Sequence, residues 1–508
     1  MSRATGTTLV LALGTATVLI SAAVAFTHSF TMDPSMPMDS MHTMTSTAKH
    51  STASRPLQGM PLSEMPEMFT AALGLLLVVI GAALRGRPET AADAPSPGRG
   101  RGRVLIGVIG TAALTIDISK TSTLGFVIPG MRTEYGLTPQ EASLLAVAGL
   151  TGTAIGAVLF GALSDRIGRR GSYLIATLGF TATSMCGSMP DFQGNLVMCG
   201  LMGIAVGGLA PLLITLLTET VGGTVRGSVV VALSVVATAV GYLVAAGSAL
   251  WLEPIFGWRV LWLIGAPTGA VLVALAPFVP HFAAAPAAAR VQQEPRQPRS
   301  ARAFGVGLQR AFATLIGLLT FGLTTWVPSL ARVGGVPVRT ANLMLTVAAV
   351  AMVPCAVLLM LGYRRFGPTF MASGLATVTA VLLLALTASG AVATVSWVAA
   401  GALVAALFSV NSMSAIFLPI AADLADPGRR GRTTGTVSLF NRLGGLCGPL
   451  LLAGLVSSTS DVLTAVSALA LLCAGAAWYL GRRHRQHTLA EARAAANGSL
   501  TEARAANS

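Results

Sequence analysis

The chain is poor in charge. Only 10% of its 508 residues are Asp, Glu, Lys or Arg, against about 25% in an ordinary soluble domain, so a water-exposed globular fold is excluded as the first reading. Acid is scarcer than base, with 19 Asp and Glu against 33 Lys and Arg. Lysine is nearly missing: Lys49 and Lys120 are its two occurrences. The net charge of +14 would point to nucleic acid in a soluble protein. Here the arginines sit in short stretches between apolar runs, where they set membrane orientation instead. Cysteine is sparse too. Cys186, Cys199, Cys355, Cys447 and Cys473 all fall inside apolar runs and lack the paired spacing of a zinc site. No nucleophile triad and no phosphate-binding glycine loop is present, so an enzyme reading has no support and no cofactor is expected.

What the chain has is long apolar runs. It is 53% hydrophobic with a mean hydropathy of +0.73, and runs of about 20 residues, the length that crosses a bilayer as a helix, recur along it. A bilayer core offers no water to backbone groups, so these runs are expected to be helices. A β-barrel would instead show short alternating segments. Twelve core spans are read at 104–129, 141–160, 172–189, 196–218, 228–251, 260–279, 310–331, 341–362, 369–389, 393–421, 433–456 and 461–481. Arginine is dense in alternate loops: Arg166, Arg169 and Arg170; Arg226; Arg290, Arg296, Arg299 and Arg302; Arg364 and Arg365; Arg429, Arg430 and Arg432; Arg482, Arg483 and Arg485. The other loops carry only Arg132, Arg259, Arg332 and Arg339. The first set is expected to face the cytoplasm.

The segment 282–308 is rich in Ala, Pro, Gln and Arg and reads as a cytoplasmic linker. It separates an N-terminal six-helix half, 101–281, from a C-terminal half, 309–481, with a basic cytoplasmic tail at 482–508. The halves repeat each other. Pro129 and Gly168 recur as Pro328 and Gly367 at one offset of 199 (328 − 129 and 367 − 168). Glu219 and Arg226 recur as Asp423 and Arg430 at an offset of 204 (423 − 219 and 430 − 226).

Between the second and third core runs lies Gly161-Ala-Leu-Ser-Asp165-Arg166-Ile-Gly168-Arg169-Arg170. One acid, arginines and glycines at this spacing resemble the loop between helices two and three of the major facilitator superfamily. The second-half copy, Gly362-Tyr-Arg364-Arg365-Phe-Gly367, lacks the acid. Phe321-Gly-Leu-Thr-Thr-Trp326-Val-Pro328 and Asn441-Arg442-Leu-Gly444-Gly445-Leu-Cys-Gly448-Pro449 look like helices seven and eleven of that family's metabolite and aromatic-acid proton symporters. Leu201-Met-Gly203-Ile-Ala-Val-Gly207-Gly208 looks like their helix four and that of the sugar porters. Helix five reads Gly241-Tyr-Leu-Val-Ala-Ala-Gly247 and lacks the Gly-Pro signature of drug–proton antiporters.

The resemblance implies an all-α integral membrane protein: the facilitator fold, with twelve core helices in two pseudo-symmetric halves and one or two extra N-terminal apolar segments. It implies a monomeric, multi-pass carrier of the cell membrane that works by alternating access. The expected function is proton-coupled symport of a small organic anion. The alternatives are efflux of hydrophobic compounds and a copper-linked carrier. The resemblance also implies that Gly161, Asp165, Arg166, Gly168 and Arg169 form a conformational gate, extended by Glu219 with Arg226 and by Asp423 with Arg430.

Ionisable groups inside a span are costly and mark a partner or a task. Asp117 and Lys120 lie three residues apart on one face of the first core helix. The reading is that they share a substrate and proton-coupling cavity with Arg442, and Trp326 and Asn411 are expected beside them. Arg or Lys would pair with a substrate carboxylate, and Asp117 would carry the proton. A plain internal salt bridge between Asp117 and Lys120 is the competing reading.

Residues 1–100 stand outside the core. The run 8–26 ends in Ala23-Val-Ala25, which resembles a signal-peptidase site and reads as a cleaved signal or an anchor. A second run at 69–84 is short for a span, and the arginines after it place its end inside. Residues 27–68 are then extracytoplasmic, expected without order of their own, and dense in Met and His. Met36, Met38, Met41, His42 and Met44 form their tightest group, a ligand set suited to Cu(I). A linker enriched in methionine by chance is the plainer reading.

Overall fold

The computed structural model describes residues 3–31, 57, 59–60, 63, 65–85, 101–184, 189–209, 212–213, 226–279, 299–332, 337–390, 396–423 and 430–506. Regular structure among the described residues is helical throughout, with no strand. The helices are α1 (Arg3–Thr31), α2 (Pro66–Leu84), α3 (Arg101–Tyr135), α4 (Pro139–Thr183), α5 (Phe192–Gly207), α6 (Arg226–Trp251), α7 (Glu253–Phe256), α8 (Val260–Leu263) and α9 (Gly265–Leu275). After residue 298 come α10 (Arg299–Ala331), α11 (Val338–Phe366), α12 (Pro368–Ala388), α13 (Ser396–Asp423), α14 (Arg430–Ala453) and α15 (Thr459–Ala506).

Ten of the described helices are long and apolar enough to cross a membrane. Two of them are α1 and α2. The run at 69–84, short by sequence, gains Pro66 to Met68 at its start and reaches 19 residues, about 28 Å at the helical rise. Four further core runs are helical without meeting that measure: α3, which carries Asp117 and Lys120, the second arm of α4, α5 and α13. Three boundaries move from the sequence reading. Helix α1 continues to Thr31, into the segment read as outer chain. Helix α10 begins at Arg299, inside the segment read as linker, and its remainder, 282–298, lies outside the described residues. Helix α15 runs unbroken through the segment read as a tail.

Local chemistry explains where the helices turn. Thr138 and Glu141 form a capping box at the start of α4, with the Thr138 N–H donating to Glu141 Oε2 at 2.8 Å and the Glu141 N–H to Thr138 Oγ1 at 3.3 Å. Helix α4 folds back at Gly168, whose φ of 82° and ψ of 166° suit only a residue without Cβ. Gly367, at the repeat offset, has φ 82° and ψ 165° and separates α11 from α12. The two Gly-centred loops therefore share one backbone shape.

Helices α3 to α9 pack among themselves, as do α10 to α15, and the two groups meet where α3 faces α10, α4 faces α14, and α6 faces α11 and α13. Gly125 of α3 abuts the main chain of Thr324 in α10. The N-terminal pair α1 and α2 pack against each other and against α4, joined by a 2.8 Å hydrogen bond between the Ser21 and Thr70 hydroxyls.

Candidate functional site

The interface between the two groups holds the buried charges. Asp117, on α3, is buried, and its Oδ1 has no hydrogen-bond partner among the described residues. The charge that acts on it is that of Arg442 on α14, and the reverse also holds. Arg442 further reaches the first helix group by donating from Nη2 to the Gly207 carbonyl at 3.4 Å. Asp117 and Arg442 stand on different helix groups within range of each other's charge, with no salt bridge or hydrogen bond between them.

Lys120 goes elsewhere. Its Nζ donates to the Leu261 carbonyl at 3.1 Å and the Trp262 carbonyl at 2.9 Å, and lies 6.0 Å from the centre of the Phe180 ring. These carbonyls belong to the short α8, which ends before α9 begins, and a helix C-terminus leaves carbonyls without intrahelical donors. Gly265 makes room for the Lys120 chain, since a Cβ there would lie 2.7 Å from its Cε. The direct Asp117–Lys120 salt bridge weighed from the sequence does not form.

Asn411, on α13, lines a narrow cleft with Val235, Thr238, Ala239, Met352, Phe408 and Ser412, and its Nδ2 is buried without a partner among the described residues. A second cleft runs past Lys120, Thr121, Leu150, Thr153 and Met202. Trp326 is fully buried and donates from Nε1 to the Pro449 carbonyl at 2.9 Å, which ties α10 to α14. It lines neither of these clefts. Sequence reasoning missed two polar groups, the Tyr242 hydroxyl on α6 and the Thr320 hydroxyl on α10, both buried and unpartnered among the described residues. Nothing in their sequence context separates them from ordinary helix residues.

Of the expected gate, Arg166 is exposed and Arg169 is buried next to Gly168. Gly161 and Asp165 lie on α4, Arg226 opens α6, Asp423 ends α13 and Arg430 opens α14. The side chains of those four charged residues, and Glu219 altogether, lie outside the described residues, as do Met36, Met38, Met41, His42 and Met44. No group of three or more His, Cys, Asp or Glu suited to a metal ion occurs among the described residues.

The opposite end of the bundle carries two ion networks absent from the expectation. Arg259 donates from Nη2 to Glu134 Oε1 at 2.6 Å and from Nη1 to Oε2 at 2.7 Å, inside the first helix group. Arg332, at the end of α10, donates from Nη2 to both oxygens of Glu253, at 3.0 and 2.9 Å. Asn342 of α11 joins them, with Nδ2 donating to Glu253 Oε2 at 2.9 Å and to the Ala249 carbonyl at 3.0 Å. This second network spans the two groups. Burial pushes the Glu253 carboxyl above its ordinary range, while Arg332 and Asn342 pull it back.

The sequence profile of the Major Facilitator Superfamily matches residues 109–417. A Bacillus subtilis (strain 168) protein named as a niacin/nicotinamide transporter is 26% identical over 385 residues, covering 73% of this chain and 94% of that protein. A niacin transporter of Acinetobacter baylyi is 32% identical over 162 residues, covering 32% of this chain and 36% of that protein. A gallate transporter of Pseudomonas putida is 28% identical over 273 residues, 47% of this chain and 60% of that protein. Among solved structures, a D-xylose–proton symporter superposes with a TM-score of 0.60 at 17% identity, over 74% of this chain and 97% of that one.

Proposed function

Because the chain belongs to the Major Facilitator Superfamily, and is therefore a membrane transporter rather than an enzyme, we propose that it carries a small aromatic carboxylate together with a proton by alternating access. The observation that carries this reading is a buried acid, Asp117, whose Oδ1 has no partner among the described residues, with Arg442 of the other helix group reaching across to the Gly207 carbonyl. Niacin and gallate, named for similar proteins, are both aromatic carboxylic acids and support the substrate class.

The chemistry follows from charge balance in a dry site. Alone, Asp117 and Arg442 neutralise each other. An anionic substrate entering beside them adds a negative charge that low-dielectric surroundings penalise. A proton on Asp117 removes that penalty and leaves the Arg442 guanidinium free to fork onto the substrate carboxylate. Substrate and proton then enter together or not at all. Asn411 supplies a free amide donor to the cleft between α6, α11 and α13, and Lys120 holds the broken segment around Leu261 and Trp262 in place.

In this reading the arginine-rich ends of the bundle, including the Asp165–Arg170 loop, face the cytoplasm, and Asp165, Arg166 and Arg169 with their second-half counterparts serve conformational exchange. The test is uptake of labelled nicotinate into proteoliposomes with an imposed inward proton gradient, with nicotinamide and D-xylose as neutral comparators. Accumulation of nicotinate alone, lost when the gradient is collapsed, supports the reading. Equal handling of all three, or efflux driven by the same gradient, overturns it.

A further inference from the structure

Five methionines that the transport reading leaves unused converge at one place. Met60, Met65 and Met189 are buried together, and Met68 and Met198 pack against them. Every apolar side chain of this small cluster is methionine among the described residues. The main core uses Leu, Val, Ala and Phe, with Met131, Met202 and Met413 its fully buried methionines. Packing alone would accept any apolar side chain of similar volume, so a cluster drawn from one residue type calls for a reason in sulfur chemistry.

The cluster is assembled by segments far apart in the chain and is held from outside. Leu57 is fixed by its N–H to the Phe256 carbonyl at 2.9 Å and by Arg259, whose Nη1 donates to the Leu57 carbonyl at 3.4 Å. Gly59 lies against the main chain of Pro190, where a Cβ would come within 2.6 Å of its Cα, which brings Met60 alongside Met189. The Met189 carbonyl accepts from the Tyr135 hydroxyl at 3.2 Å and from Asn195 Nδ2 at 3.3 Å. These contacts fix the backbone of the sulfur-bearing residues from both sides, as outer partners do around a ligand set.

Thioethers are neutral, soft donors that carry no proton to repel a cation. A site made only of them discriminates against Zn²⁺, Mg²⁺ and Ca²⁺ and suits a soft monovalent ion. A negative charge is close in the chain: Glu67 stands between Met65 and Met68, with Oε1 3.3 Å from His28 Nδ1 and Oε2 buried without a hydrogen-bond partner among the described residues. In sequence, the approach to Met60 carries Met36, Met38, Met41, His42 and Met44, the same donor chemistry.

We propose that Met60, Met65 and Met189, with Met68 and Met198 at their edge, form a binding site for a soft monovalent cation, Cu(I) or its analogue Ag(I). The site is separate from the Asp117–Arg442 pair, and its occupancy is read without any transport measurement. The experiment loads the purified full-length protein with Ag(I) in chloride-free buffer, desalts it and measures retained silver. A variant with Met36, Met38, Met41 and Met44 all changed to Leu is expected to keep one equivalent, and M60L/M65L/M189L is expected to lose it, since Leu conserves volume but not sulfur. Retention unchanged in the triple variant, or no retention by the wild type, overturns the proposal. X-ray absorption at the copper edge of the Cu(I)-loaded 36/38/41/44 variant needs no change to the cluster. An all-sulfur shell supports the site, and a nitrogen or oxygen shell contradicts it.

Discussion

Arg332 and Glu253 lie in different helix groups, yet Arg332 Nη2 sits 3.0 and 2.9 Å from the two Glu253 carboxylate oxygens. The Glu253 side chain is 8% exposed and that of Arg332 14% exposed, so the pair is largely dry. Any conformation that opens this end of the bundle must part them. Removing one partner of a buried pair leaves the other charge uncompensated, a loss of about 3–5 kcal/mol. R332A is therefore expected to shift the protein towards the arrangement open at this end. The readout is maleimide labelling of S329C, placed on a buried α10 residue: faster in the R332A background if the pair is a latch, unchanged if it is not.

The same pair makes a pH dependence. Burial holds the Glu253 carboxyl above its ordinary range even beside Arg332, so the packed arrangement binds that proton more tightly than an open one in which the carboxyl meets water. By linkage, falling pH favours the packed arrangement; the gain is complete below the ordinary carboxylate range and is lost as pH rises through the raised value. Labelling of S329C should slow as pH is lowered through this window after correction for thiol ionisation. The slowing should vanish in E253Q. A pH response that persists in E253Q assigns it to another group.

Lys120 and Arg442 should part company under mutation. Lys120 serves two main-chain carbonyls, and K120M leaves both unsatisfied, which costs stability of about 1–3 kcal/mol each and affects every substrate alike. R442Q removes the cation that faces Asp117 and should weaken nicotinate by at least about tenfold, or 1.4 kcal/mol, with little change for nicotinamide. Competition binding with both ligands separates the two effects. Equal losses for acid and amide in R442Q would remove Arg442 from carboxylate recognition.

The Asp165 loop is expected to act on rate. D165N should lower the maximal transport rate and leave the substrate concentration at half-maximal rate nearly unchanged. Gly168→Ala places a Cβ at φ 82° and should cost about 1–3 kcal/mol in strain, visible as a lower melting temperature. A parallel loss of substrate affinity in D165N would move the loop into the binding site.

The helical architecture was legible because apolar runs of bilayer length leave the backbone no alternative, and the Gly168 and Gly367 loops announced themselves by identical spacing. Asp117 was legible for the same reason: an acid in an apolar helix stands out. Arg442 was read into the same cavity as the second cation inside a span, but the place of Lys120 was not legible. Helix spacing pointed to Lys120, three residues away, but the amine was drawn to carbonyls 141 and 142 residues further on, freed by a helix break that composition does not mark. The tie that Trp326 makes between α10 and α14 was not legible either, since its partner is a main-chain carbonyl 123 residues away. Glu253, Arg332 and Asn342 read as ordinary loop and helix-end residues, and only the packing of α6 and α7 against α10 and α11 makes them one network. The five clustered methionines come from the approach to α2, α2 itself, the approach to α5 and α5, a convergence that sequence distance conceals.

The central claim is that Asp117 carries the coupling proton. The most direct measurement compares uphill nicotinate uptake with nicotinate counterflow by D117N in proteoliposomes. The account predicts that uphill accumulation driven by the proton gradient is abolished while counterflow persists, because exchange does not require the proton to be released. Uphill accumulation at the wild-type level in D117N would contradict it and leave Asp117 as no more than a counter-charge for Arg442.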